Sequence, residues 1–78
     1  MKHLWEVTKT IRDEFSRSHE MESGDADSLT LAKKMAEKAY QRMGGGRNVR
    51  ARISRPEGRK AWRYEGGRGS QMVWREYT

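Results

Sequence analysis

Between residues 47 and 77, cationic side chains are interleaved with flat rings. Arg47, Arg50, Arg52, Arg55, Arg59, Lys60, Arg63, Arg68 and Arg75 surround Trp62, Tyr64, Trp74 and Tyr77. Guanidinium groups make paired hydrogen bonds to phosphate or carboxylate and stack on π systems. Basic grooves with stacking rings hold single-stranded nucleic acid. A hairpin tip such as Arg55-Pro56-Glu57-Gly58-Arg59 can grip a phosphate backbone. The RNP motif of RNA-binding sheets is absent. Trp62 and Trp74 are also the obvious fillers of a small core, and packing is the expected role of both.

The charge is unevenly placed. Residues 1–40 hold seven Lys and Arg against eight Asp and Glu, whereas residues 41–78 hold ten against three, and the whole chain carries +6. Nine of those ten cations are Arg, a bias that a surface built only for solubility does not require. A second basic group, Lys33, Lys34 and Lys38, lies in a helical pattern, with Lys34 and Lys38 one turn apart.

Catalytic chemistry has few candidates. His3 and His19 are the only histidines. Neither belongs to a ligand motif such as H-E-x-x-H, and both read as surface residues. Asp25 and Asp27 resemble the start of a Ca²⁺ loop, but the ligand pattern does not continue. Gly44-Gly45-Gly46-Arg47 follows a helix, the wrong context for a phosphate-cradling loop. Paired catalytic carboxylates, G-x-S-x-G and C-x-x-C are missing. The expectation is a non-enzymatic protein with no cofactor and no metal.

The elements that position these residues follow from periodicity. A helix is expected from about Ser28 to Met43. Asp25, Asp27 and Ser28 offer N-cap oxygens, and Ala32, Met35, Ala36, Ala39, Tyr40 and Met43 form one apolar stripe. Gly44-Gly45-Gly46 stops it with residues that tolerate the left-handed conformation. Asn48–Ser54 alternates, with Val49, Ala51 and Ile53 opposite Arg50 and Arg52. Lys60–Glu65 and Gln71–Tyr77 are two further strands, separated by turns at Pro56-Glu57-Gly58 and Gly66-Gly67-Arg68-Gly69. The three strands read as an antiparallel meander.

Residues 3–12 support two readings. Leu4, Thr8, Ile11 and Phe15 make a helical stripe, whereas Trp5, Val7 and Ile11 share a face at period two among strand-forming residues. The strand is favoured. A short second strand at His19-Glu20-Met21-Glu22 then ends in a Ser23-Gly24-Asp25 loop. The expected fold is a single α+β domain over residues 1–78: a five-stranded antiparallel sheet, β-β-α-β-β-β, with one helix packed on one face. The alternative is α-α-β-β-β. Alternation leads to the expectation that the open face, or its edge, carries several of Arg50, Arg52, Arg63 and Arg75. The expected core is Trp5, Val7, Ile11, Leu29, Met35, Val49, Ile53, Trp62, Met72 and Trp74.

The chain has 78 residues and no Cys, so no disulfide or thiolate site supplements that core. No apolar run approaches the roughly 20 residues of a membrane helix. Met1-Lys2-His3-Leu4-Trp5-Glu6 lacks the apolar stretch of a secretion signal. The expectation is a soluble cytoplasmic protein without a membrane partner, monomeric by preference.

The segment Ser28-Leu29-Thr30-Leu31-Ala32-Lys33-Lys34-Met35-Ala36-Glu37-Lys38 has the form S-L-x-x-A-K-[KR]-x-A-x-K. It follows two expected strands and precedes three. In this it resembles small phage-encoded anti-CRISPR proteins that inhibit type I-F surveillance complexes. The resemblance covers the helix closely and the flanking strands in layout. The 41–48 link is longer here and the meander far richer in Arg. The resemblance implies an inhibitor in the host bacterial cytoplasm. Its partner would be a ribonucleoprotein surveillance complex, with Lys33, Lys34 and Lys38 on Cas7-like backbone subunits or the DNA path, blocking target DNA. The residues themselves also support a direct nucleic-acid binder or small phage regulator. In that reading Arg47, Arg50, Arg52, Arg55, Arg59, Lys60, Arg63 and Arg68 contact the nucleic acid.

Overall fold

The computed structural model describes residues 2–12, 15–46, 48–55, 61–66 and 71–77. Five strands and a helix follow in the order β1 (His3–Arg12), β2 (Arg17–Ala26), α1 (Leu29–Arg42), β3 (Val49–Ser54), β4 (Ala61–Gly66) and β5 (Met72–Tyr77). They form one sheet with strand order β2-β1-β3-β4-β5, antiparallel at every neighbouring pair. The expected α+β fold is therefore present, and the α-α-β-β-β alternative is not. The two turns of the meander, at 56–58 and 67–69, lie outside the described residues.

Strands β2 and β3 both flank β1 and so run parallel to each other. A parallel return needs a crossover, and α1 supplies it. Ser28 caps the helix: its backbone is extended, and its hydroxyl accepts the Leu31 N–H at 3.1 Å. Asp25, also a candidate cap, instead faces Lys2 at 3.9 Å. The far end stops at Gly44-Gly45-Gly46, all with positive φ, as only glycine accepts readily. The Gly45 N–H bonds the Tyr40 carbonyl and the Gly46 N–H bonds the Tyr40 hydroxyl.

The helix presents Ala32, Ala36 and Ala39, all fully buried, to the sheet. Side chains this small let the helix lie close, so the core is filled from the sheet side by Trp5, Val7, Val49, Ala51, Ile53 and Trp62. Val7 and Ile53 are fully buried, each a contribution of about 1.5–3 kcal/mol in transfer terms. Leu29, Met35 and Trp74 pack against this cluster while staying partly exposed. Ile11 and Met72 are only half-buried. β1 pairs with β3 no further than Lys9, so Ile11 sits on a two-stranded extension, while Met72 lies on the edge strand β5.

Two local expectations are corrected. The second strand runs ten residues rather than four, and Ser23-Gly24-Asp25 continues it instead of forming a loop. The reason is Trp5. Gly24 stands directly opposite it, and a Cβ there would lie 2.9 Å from the indole ring. The glycine makes room for a ring, not for a turn. His3, expected at the surface, is buried against Trp62 at a ring separation of 5.7 Å, and both its nitrogens lack a hydrogen-bond partner. It shares the inward parity of Trp5 and Val7. His19 is exposed as expected.

Gly24→Ala tests the Trp5 seat. Alanine normally improves a strand, but here it forces the indole to move. The expected result is destabilisation by about 1–3 kcal/mol, seen as a lower denaturation midpoint with a changed tryptophan emission.

Candidate nucleic-acid interface

On β3, β4 and β5 the residues next to the buried ones point away from the helix. Arg50 and Arg52 alternate with Val49, Ala51 and Ile53, and both are exposed. Arg63 follows buried Trp62. On β5, Val73, Arg75 and Tyr77 alternate with half-buried Met72 and Trp74. The register aligns three of these cations. Arg52 stands directly opposite Arg63, and Arg63 directly opposite Arg75. One row of arginine thus crosses three neighbouring strands. With strands about 4.8 Å apart, its Cα atoms span roughly 10 Å.

Glu6 continues the row on β1, opposite Arg52. Glu65 on β4 lies 3.7 Å from the Arg75 Nε, an exposed and weak pairing. The Arg63 guanidinium rests 4.9 Å from the centre of the Tyr77 ring, whose hydroxyl donates to Glu65. That hydrogen bond raises the Tyr77 pKa above its ordinary value, with desolvation second, against the opposing pull of Arg63 and Arg75. Tyr77 therefore stays neutral at physiological pH and adds no negative charge to the row. A shallow depression of about 690 Å³ opens here, lined by Glu6, Thr8, Arg50, Arg52, Arg63 and Glu65 among others. Among the described residues the charged groups on this face of β1 and β3–β5 are five arginines, of which Arg12 lies at the far end of β1, and two glutamates.

The remaining candidates separate. Arg55 turns to the helix side, half-buried, with its guanidinium 5.7 Å from the Trp62 ring and its Nε without a partner. Lys33, Lys34 and Lys38 ride on α1, which covers the opposite face of the sheet. Lys34 and Lys38 are exposed and Lys33 half-buried. Arg50, Arg52, Arg63 and Arg75 thus lie on the side of the sheet opposite to the helix lysines. Arg47, Arg59, Lys60 and Arg68 lie outside the described residues.

The rings also part from the cations. Trp74 donates its indole N–H to Glu37 on the helix at 2.9 Å, and Tyr64 packs between Tyr40 and Trp74. Burial and the neighbouring Glu37 raise the Tyr64 pKa. Apart from Tyr77 under Arg63 and Arg55 beside Trp62, the interleaving in sequence becomes segregation in space: Trp62, Tyr64 and Trp74 lie on the helix side, and Arg50, Arg52, Arg63 and Arg75 on the other face. Arg75 and Tyr77 belong to the interleaved set in the sequence but not to the eight residues expected to contact the nucleic acid. Alternation places them on the face, but only the β4–β5 register puts Arg75 beside Arg63. Among the described residues no group of three His, Cys, Asp or Glu could hold a metal ion. Nor is any helix long and apolar enough to cross a membrane.

No protein-family model matches the chain, and neither a curated protein nor a solved structure matches it significantly.

Like charges placed directly opposite on adjacent strands oppose folding. Arg63 has one on each side, offset by its contact with Tyr77. Arg63→Thr, which keeps a good strand former, is expected to be neutral or stabilising by up to about 1 kcal/mol at low ionic strength. Any gain should fade in concentrated salt as the repulsion is screened. Chemical denaturation at two salt concentrations checks this.

Proposed function

We propose that this chain is a small non-enzymatic binding protein whose arginine-bearing sheet face engages the phosphate backbone of a nucleic acid. The observation that carries this reading is the row Arg52–Arg63–Arg75, three guanidinium groups in register on the face that the helix leaves open. Such a row works against folding and is only partly countered by Glu6, opposite Arg52, and by the exposed Glu65 beside Arg75, so an external polyanion would satisfy its chemistry further. Planar, bidentate donors suit phosphate oxygens. With three donors over roughly 10 Å, the row can meet two or three neighbouring phosphates of one strand. Arg50 widens the patch from the same face.

Binding should then depend steeply on salt. Release of about three counterions gives a slope of log Kobs against log salt of about −2 or steeper, a loss of roughly 20-fold or more between 50 and 200 mM. Arg52→Gln, Arg63→Gln and Arg75→Gln should each make the slope shallower by about 1. Fluorescence anisotropy with a labelled oligonucleotide measures both. No binding to DNA or RNA at low salt would remove this reading.

The exposed Lys34 and Lys38, with half-buried Lys33 beside them, favour a second reading. They belong to the helix segment that resembles the anti-CRISPR inhibitors. In this reading the protein binds a CRISPR–Cas surveillance complex and blocks target DNA. The two readings place the contact on opposite faces and so separate cleanly. Lys33→Glu combined with Lys34→Glu should abolish co-purification with such a complex while leaving the folded state and free-oligonucleotide binding intact. The arginine variants would do the reverse. Absence of stoichiometric pull-down with a type I complex would eliminate the inhibitor.

A further inference from the structure

We infer that the arginine face takes its nucleic acid by the phosphodiester backbone alone, one strand segment of two or three phosphates at a time, without stacking on or reading the bases. This rests on the proposed nucleic-acid role and specifies the ligand's chemistry at the same face.

Base recognition on a sheet needs ring faces beside the cations, since stacking carries much of single-strand affinity. Here the sheet pleat has removed most of them. Trp5 lies over Gly24 and Trp62 is buried beside His3 and Arg55. Tyr64 and Trp74 pack on Tyr40 and Glu37, on the helix side. Two rings share the face with the arginine row: Tyr77, already covered by the Arg63 guanidinium and fastened through its hydroxyl to Glu65, and the imidazole of His19 on β2, two strands from β3 and 3.4 Å from the Thr10 hydroxyl. Phe15 is 93% exposed, but it lies past Arg12, on the two-stranded extension beyond the reach of β3. That separates it from the row.

The side chains lining the depression have the matching chemistry. Arg50, Arg52 and Arg63 donate to anions, and Thr8 and Thr10 are small hydroxyls. Guanidinium groups can also read base edges from a groove. Three guanidinium groups set across the strands of an open sheet face meet first the outermost charged atoms of a strand laid over it, the phosphate oxygens.

The test compares three probes with the full chain at low salt by anisotropy: an eight-residue dT oligonucleotide, a mixed-sequence oligonucleotide of the same length, and an oligomer of eight abasic phosphodiester units. All three should bind within about threefold of one another. Tryptophan emission should stay unchanged on binding, because the three tryptophans lie on the other side of the sheet. One stacked base would raise affinity about fivefold or more. A preference of that size for the base-bearing probes, or for one sequence, would overturn the inference while leaving the nucleic-acid role standing. If that preference vanished in Phe15→Ala, the extension rather than the sheet would be the base-reading element. Failure of all three probes to bind would remove both the inference and the role beneath it.

Discussion

A pleated strand sends neighbouring side chains to opposite faces, and this chain has a single helix with which to cover its sheet. Those two conditions sort the sequence. Every ring and aliphatic side chain that must leave water has to fall on the parity that α1 can cover. Of the nine positions left on the other side of β3, β4 and β5, four are arginine, and the register brings three of these into one row. The cationic face is thus a consequence of how the core forms, provided the sequence places arginine at each alternate position.

The core depends on size matching across that interface. Three alanines on the helix bring it close enough for Val7 and Ile53 to be fully enclosed. Gly24 yields its side-chain space to Trp5, and Tyr40 holds the glycine run that turns the chain from α1 towards β3. At the margins the cover thins. β5 meets the helix through the Trp74–Glu37 hydrogen bond and the stacked Tyr40–Tyr64–Trp74 cluster. Arg42 and Glu22, 2.7 Å apart, tie the helix end to β2. A small core with such edges leaves little excess stability, which makes the only partly relieved repulsion along Arg52–Arg63–Arg75 informative about what the face is for.

Segregation of rings from cations changes the functional reading. Along the chain, arginine and aromatic residues alternate so closely that they suggest a mixed stacking surface. In space, Tyr77 and Arg55 apart, they lie on opposite sides of one sheet, and the arginine side offers charge and hydroxyls. A face of this kind suits a uniform polyanion better than a particular base sequence. The helix lysines, one sheet thickness away, form a separate surface with its own possible partner.

By itself the sequence determined the helix period, a cap among Asp25, Asp27 and Ser28, the glycine stop and the parity of the side chains in β3–β5, and it favoured a strand for β1. These rest on local sterics and on alternation, which neighbours in the chain decide. The tertiary structure decided what depends on pairing between distant segments. The register placed Arg63 between Arg52 and Arg75, a relation that no local pattern encodes. Pairing with Trp5 turned Ser23-Gly24-Asp25 from an apparent loop into strand, because the glycine serves a ring eighteen or more residues earlier in the chain. Packing under the helix drew His3 inward and laid Arg55 over Trp62, taking one expected phosphate contact to the other side. Local chemistry named the residues, and long-range register chose which of them act together.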